Sequence, residues 1–259
     1  MIKEEMMENQ RVKKIHSESS YKRKMMGWMA LASLFTLLVV FISELRIDQY
    51  MDQMIFSIFG ERTYAVTQLA VSIAHTEVII ALSILISATL LITGHRTWAF
   101  FYFRLMFFGC LLGYVLKEGV SRPRPNELIS VNLWRMGTET VSQSFPSGHA
   151  MKIVFLAGFL VLFFAFLSEK PFSSRILGIG GLIVLLVGLG QILNGRHYFT
   201  DVIGGYSWAF AWVYVNLHYE SLKKDRGILR TFRKRGEGRD EANTGVWNHH
   251  RQWNPGKAE

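Results

Sequence analysis

The chain has 259 residues, half of them hydrophobic, a formal net charge of +9 and one cysteine, Cys110. Apolar residues gathered in long runs exclude an ordinary water-soluble domain and point to a polytopic membrane protein, and a single thiol excludes an internal disulfide framework. The basic residues sit at the two ends and in short loops with no recognition module beside them, which argues against nucleic acid as a partner and for anionic membrane lipid.

In chain order, residues 1–24 form a basic segment with Lys13, Lys14, Lys22, Arg23 and Lys24. The apolar run that follows, 25–43, is long and lacks a small-residue cleavage site, so it reads as a retained first span rather than a signal peptide. Residues 44–75 connect it to the next run. Met51, Met54, Ile55, Ile58 and Phe59 recur there with the spacing of an amphipathic helix, with Asp48, Asp52 and Gln53 among them. The expectation is a short helix at the outer interface or packed on the other loops. Further runs at 76–93, 97–116, 148–167, 175–194 and 202–219 each approach the roughly 20 residues that a membrane-crossing helix needs. The fold class expected is therefore all-α, with six transmembrane helices in a membrane domain at 25–219. A basic tail at 220–259 follows, mobile beyond about 235, with Trp247 and Trp253 in it.

Six spans put the N-terminal segment, the turn at His95–Arg96, the loop with Lys170 and Arg175, and the start of the tail at Lys223, Lys224 and Arg226 on one side. The positive-inside rule makes that side cytoplasmic, with both termini there. The loop 117–147 falls on the outer side although Lys117, Arg122, Arg124 and Arg135 make it basic, a departure that calls for a functional reason. Arg104, inside the third span, is expected to snorkel or to pair within the bundle. Trp98, Phe100, Phe101, Tyr102 and Phe103 read as an interfacial belt and lipid-facing surface.

Three clusters stand at outer span ends: Lys117–Pro125, Phe145–His149 and Gly195–Asp201. Together they supply cations, a hydroxyl, a glycine amide, two histidines and a carboxylate, which is an inventory for handling phosphate. Lys117 and Arg124 offer charge and directed donors to phosphate oxygens. Pro123 and Pro125 stiffen the loop that carries Arg124. Ser147 and Gly148 open a helix whose N-terminal amides face an anion. His149 is placed to exchange a proton with a bound phosphoester. His197 and Asp201, four apart, share a face, so the carboxylate can hold one imidazole nitrogen and leave the other free to attack. Lys152 lies one turn after His149, within reach of a diphosphate or headgroup, or snorkels to the interface.

At these residues the sequence resembles the type 2 phosphatidic acid phosphatase (PAP2) family. Lys117, Arg124 and Pro125 match its Lys-x6-Arg-Pro motif, Pro146–His149 its Pro-Ser-Gly-His motif, and His197 and Asp201 the end of its Ser-Arg-x5-His-x3-Asp motif. The family's Ser and Arg positions fall on Gly190 and Gln191. The resemblance spans roughly 75–219 and implies a bacterial-type integral membrane lipid phosphatase. In it His197 is the nucleophile that becomes phosphohistidine, Asp201 orients it, and His149 protonates the leaving oxygen and then activates water. Lys117, Arg124, Ser147 and the Gly148 amide cradle the phosphate, and no cofactor or metal is needed. The substrate implied is a lipid phosphate or diphosphate at the outer leaflet: phosphatidic acid, phosphatidylglycerophosphate or a polyprenyl diphosphate. Gln191 brings a donor but no charge, and Arg196 or Arg122 is expected to supply the missing cation. The alternatives are a lipid phosphotransferase or a weakened protein that binds lipid phosphate. A small transporter is disfavoured because the polar chemistry gathers at span ends rather than at span centres.

Overall fold

A computed structural model describes residues 2–42, 46–125, 143–168 and 174–223, with side chains from Ser19 onward except Glu61. Arg135, Lys170, Lys224, Arg226, Trp247, Trp253 and the rest of the tail after Lys223 lie outside the described residues. The described chain is helical, with no strand: α1 Ile2–Phe41, α2 Arg46–Ile73, α3 Thr76–Ile92, α4 Arg96–Phe103, a π-helical turn Arg104–Phe108, α5 Gly109–Val120, α6 Gly148–Ser168, α7 Ser174–Leu193 and α8 Phe199–Leu222.

The apolar runs and the helices coincide closely. Four helical stretches are long and apolar enough to cross a membrane: Ser19–Phe41, the continuous α4–α5 rod Arg96–Val120, α6 and α7. The second half of α2 and α3, bent by 51° at the break between them, make a fifth if taken as one span. The protein is thus a multi-pass membrane protein: four or five spans by length and composition lie among the described residues, and a further helix, α8, stands at the remaining expected span. The expected sixth, α8, is 24 residues long but carries Asp201, Asn216 and Glu220, all buried. It is the polar-faced centre of the bundle rather than a uniformly apolar rod. Phe41 and Ile92, 80% and 85% exposed, show the other side of the same economy: large apolar groups turned outward, as a lipid-facing surface requires.

Packing runs around α8. α1 lies along it, with Trp28 stacked on Phe210 at 4.7 Å and Trp208 Nε1 donating to Thr36 Oγ1 at 3.0 Å. α6 packs on α7 and α8, and α2 packs along α7. Gly204 and Gly205 are required at the α6–α8 crossing. A Cβ on Gly204 would meet the Phe145 ring at 2.3 Å, and one on Gly205 the Ser147 carbonyl oxygen at 2.8 Å. Only hydrogen at both positions lets the start of α6 seat against α8.

Two expectations change. The 44–75 connection holds no short helix but the 28-residue α2. Of its apolar stripe only Ile55 is buried, while Asp48 is 1% exposed, so its carboxylate face points inward and its Phe56–Ile58 side outward. The aromatic run on α4 is not one belt either. Trp98, Phe101 and Tyr102 are core, with Trp98 and Tyr102 against Phe159 of α6 and Phe101 against Trp98, and Phe100 and Phe103 alone face out. Helical periodicity divides the run, because residues three and four apart share the buried face.

Candidate active site

The three clusters converge. α5 stops one turn after Lys117 because Ser121 takes a left-handed conformation (φ 50°), its amide donating to the Lys117 carbonyl at 2.8 Å. Lys117 Nζ reaches the Gln143 carbonyl at 2.5 Å, and its side chain faces Gly148. The chain then runs extended through Arg122 and Arg124. Arg122 O accepts the Ser144 amide at 2.8 Å, which ties the first cluster to the second. The Ser147 amide donates to the Asp201 carbonyl at 3.0 Å, which ties the second to the third. Gly148 therefore begins α6 beside Lys117, and buried Ser147 caps it.

His197 sits in the five-residue connection between α7 and α8. Gly195 makes the turn with φ +60°, a conformation natural to glycine, and the Gln191 carbonyl accepts the amides of both Arg196 and His197. The imidazole is 1% exposed. Its Nδ1 lies 3.7 Å from Asp201 Oδ2, the nearest carboxylate among the described residues but beyond hydrogen-bond length. Among the described residues, neither ring nitrogen has a hydrogen-bond partner. Burial, opposed by Asp201 and reinforced by Lys117 and Arg124, pushes the His197 pKa down to about 4. The ring is therefore a neutral base at physiological pH.

Asp201 is held from several directions. Oδ2 accepts the Tyr198 amide at 2.8 Å and the Ser144 hydroxyl, and Oδ1 accepts Arg122 Nη1 at 2.6 Å. Arg122 continues to Thr200 Oγ1 at 2.9 Å and to Asp48 Oδ2 at 2.7 Å, and its guanidinium covers the Tyr198 ring at 4.2 Å. The Asp201 and Asp48 carboxylates outweigh burial and raise its pKa further. Arg122 is thus spent on fixing Asp201, and of its nitrogens only Nε is unpartnered. Arg124 Nη1 donates to the Arg196 carbonyl at 3.2 Å, and burial followed by the Arg196 charge lowers its pKa. Arg196 is half-buried, Gln191 fully buried with both amide atoms unpartnered. Among the described residues, no group of three or more His, Cys, Asp or Glu is placed to hold a metal ion.

The structure brings all ten sequence-selected residues into this region and adds four. Asp48 accepts the Thr200 amide and hydroxyl at 2.9 Å, and Asp52 accepts the Phe199 amide at 3.1 Å, so α2 caps the N-terminus of α8 with two carboxylates. Ser144 binds Asp201. His75 meets the His149 ring edge-on at 6.0 Å. The signal in sequence for Asp48 and Asp52 was two acids four apart, and so on one helix face, in an amphipathic stretch.

Comparison with known proteins follows the same geometry. The PAP2 superfamily profile matches residues 98–223, which hold all three clusters. This segment belongs to the PAP2 superfamily. Phosphatidylglycerophosphatase B of Bacillus subtilis is 38% identical over 109 residues, 40% of this chain and 49% of that protein. Lipid A 1-phosphatase of Rhizobium johnstonii is 30% identical over 118 residues, 44% of this chain and 43% of that one. The chain spans about half the length of these curated relatives. The crystal structure of a transmembrane PAP2-type phosphatidylglycerolphosphate phosphatase from Bacillus subtilis superposes with a TM-score of 0.63 at 24% identity, covering 78% of this chain and 99% of that one. Aquifex aeolicus LpxE superposes with a TM-score of 0.51 at 21% identity, over 68% and 98%. The chain shares the fold of both.

Proposed function

We propose that the protein is a membrane phosphatase that hydrolyses a lipid phosphate or diphosphate at the outer leaflet, without a metal, through a phosphohistidine on His197. The observation that carries this reading is the buried neutral imidazole with Asp201 at Nδ1 and nothing bonded to Nε2. Nε2 attacks phosphorus. The P–O ester bond breaks as His149, which takes up a proton together with the phosphate dianion bound beside it, gives that proton to the leaving oxygen, and a phosphoryl group remains on His197. Asp201 stabilises the charge that develops on the ring. His149, now neutral, takes a proton from water, whose oxygen attacks phosphorus, releasing orthophosphate and restoring His197. Lys117, Arg124, the Ser147 hydroxyl and the amide of Gly148 neutralise the phosphoryl oxygens, the task that cations perform in any phosphoryl transfer. Since Arg122 is committed to Asp48 and Asp201, Arg196 supplies the cation that Gln191 does not. The basic loops set the cytoplasmic side and leave the site on the outer face, both termini inside, where an amphiphile enters sideways with its tail in lipid.

The experiment is phosphate release by purified protein from phosphatidic acid, phosphatidylglycerophosphate and a polyprenyl diphosphate, with His197→Ala beside it. Wild type should release phosphate and the variant lose about 10³-fold or more. Silence on every lipid, or equal release from both proteins, overturns the reading. The unpartnered Gln191 amide favours a second reading, a phosphotransferase with slow hydrolysis. Wild type that passes phosphate to added alcohols while releasing little of it to water would select that one.

A further inference from the structure

Lys152 is the one cation in the α6 span, one helical turn after His149 and on its face. Its ammonium donates to the Thr76 hydroxyl at 2.8 Å, and among the described residues no carboxylate pairs with it. Glu77, the carboxylate acting on it, is exposed and forms no ion pair. A charge in an apolar helix normally has a counter-charge, as Arg104 has in Glu220 of the same bundle. Thr76 opens α3 immediately after the 51° bend, and the same bend sets His75 against the His149 ring.

The two histidines have different neighbours. Asp201, Lys117 and Arg124 act on His197, whereas Lys152, His197, Arg196 and His75 act on His149. Lys152 also acts on Lys117, so the two sets are contiguous. In an in-line displacement the nucleophile and the leaving oxygen lie on opposite sides of phosphorus. Groups flanking the proton donor therefore flank the leaving group.

We infer that Lys152, Thr76 and His75 form a second anion subsite on the leaving-group side of His149, which selects lipids whose leaving group carries an acidic phosphate. The inference rests on the phosphatase reading above. Polyprenyl diphosphate leaves as a monophosphate, and phosphatidylglycerophosphate leaves with a phosphodiester. Phosphatidic acid leaves as a neutral diacylglycerol and offers the subsite nothing.

Two measurements test it. The first needs no turnover: calorimetric binding of methylenediphosphonate and of orthophosphate to the full chain in detergent. Wild type should bind the diphosphonate at least tenfold tighter, and Lys152→Gln or His75→Asn should shrink that ratio. Equal binding of both probes by wild type, or a ratio untouched in both variants, overturns the subsite. The second is turnover. Lys152→Gln should raise KM at least tenfold for the diphosphate lipid and for phosphatidylglycerophosphate, with a loss on phosphatidic acid at least fivefold smaller. A rise for one of the two only assigns the subsite to that leaving group. Equal losses on all three lipids overturn the inference and leave the phosphatase reading standing, whereas wild-type silence on all three sinks that reading and leaves the probe binding to decide the subsite.

Discussion

Two buried polar clusters share α8, and they are built to different ends. Near its C-terminus Arg104 donates to Asn216 at 2.6 Å and to Glu220 at 2.7 Å, Glu220 also takes Lys223 at 2.8 Å, and the Phe101 and Tyr219 rings cover the guanidinium. Near its N-terminus, about 28 Å away along the helix axis, Asp201 is as well held, but both nitrogens of His197, both amide atoms of Gln191 and Arg122 Nε are buried without partners. Such atoms cost free energy in an apolar bundle unless something arrives to bond them. The first cluster fastens helices together; the second holds one carboxylate rigid so that the groups around it can stay unsatisfied and reactive.

The sharpest way to break this contrast is to remove Glu220. Glu220→Leu leaves Arg104 without its counter-charge and should cost about 3 kcal/mol of stability, the low end for a buried pair because Arg104 is 23% exposed. Thermal unfolding in detergent measures it, and kcat/KM of the folded fraction should stay within about twofold of wild type. A large kinetic loss would mean that the two ends of α8 are not separate devices. Next, Arg196→Ala should lower kcat/KM by about 10²-fold, with little change in stability. Arg122→Lys should lower both stability and kcat, because an ammonium cannot bridge Asp48 and Asp201 bidentately and Asp201 is left looser.

How far the sequence carried the site follows from these residues. His197, Asp201, His149, Lys117 and Arg124 were legible because their types and spacings are themselves chemical requirements. The helices were legible because apolar runs measure bilayer thickness. Asp48 was not, since its partner Thr200 lies 152 residues away and no periodicity joins them. Arg122 was legible as a cation near the site but not as a structural one, because only its two carboxylates decide that. The inward face of α4 escaped for another reason: lipid and protein core are both apolar, so composition alone does not say which side Trp98 or Phe100 will face.

Smaller effects refine the comparison. Asp48→Asn removes one charge from Arg122 while keeping an acceptor for the Thr200 amide. It should lower kcat by about tenfold with KM nearly constant, through looser placement of Asp201. Activity should also fall as pH drops through about 4, where His197 gains its proton. The neutral ring's share of stability is complete above its ordinary 6.5 and is lost on descending through 4. Asp52 behaves oppositely: burial and the Asp48 charge push its pKa up to about 7, so its share of stability is complete below 3.8 and is lost as pH rises through 7. Asp52→Asn should therefore raise the unfolding temperature by about 1–2 °C at pH 8 and less at pH 6.

The clasp between Asp48 and the start of α8 also sets an order of assembly. Asp48 leaves the ribosome early, and its partner amide at Thr200 follows 152 residues later, about 8–30 s at ordinary elongation rates of 5–20 residues per second. Arg122 follows Asp48 by 74 residues, so in the second half of that interval it has Asp48 but not Asp201, and His197 is made only at its end. On the proposed phosphatase reading, a nascent chain threading into the membrane among phosphorylated lipids is inert until then, because the nucleophile and the clasp that orders it arrive together with α8, the last described helix.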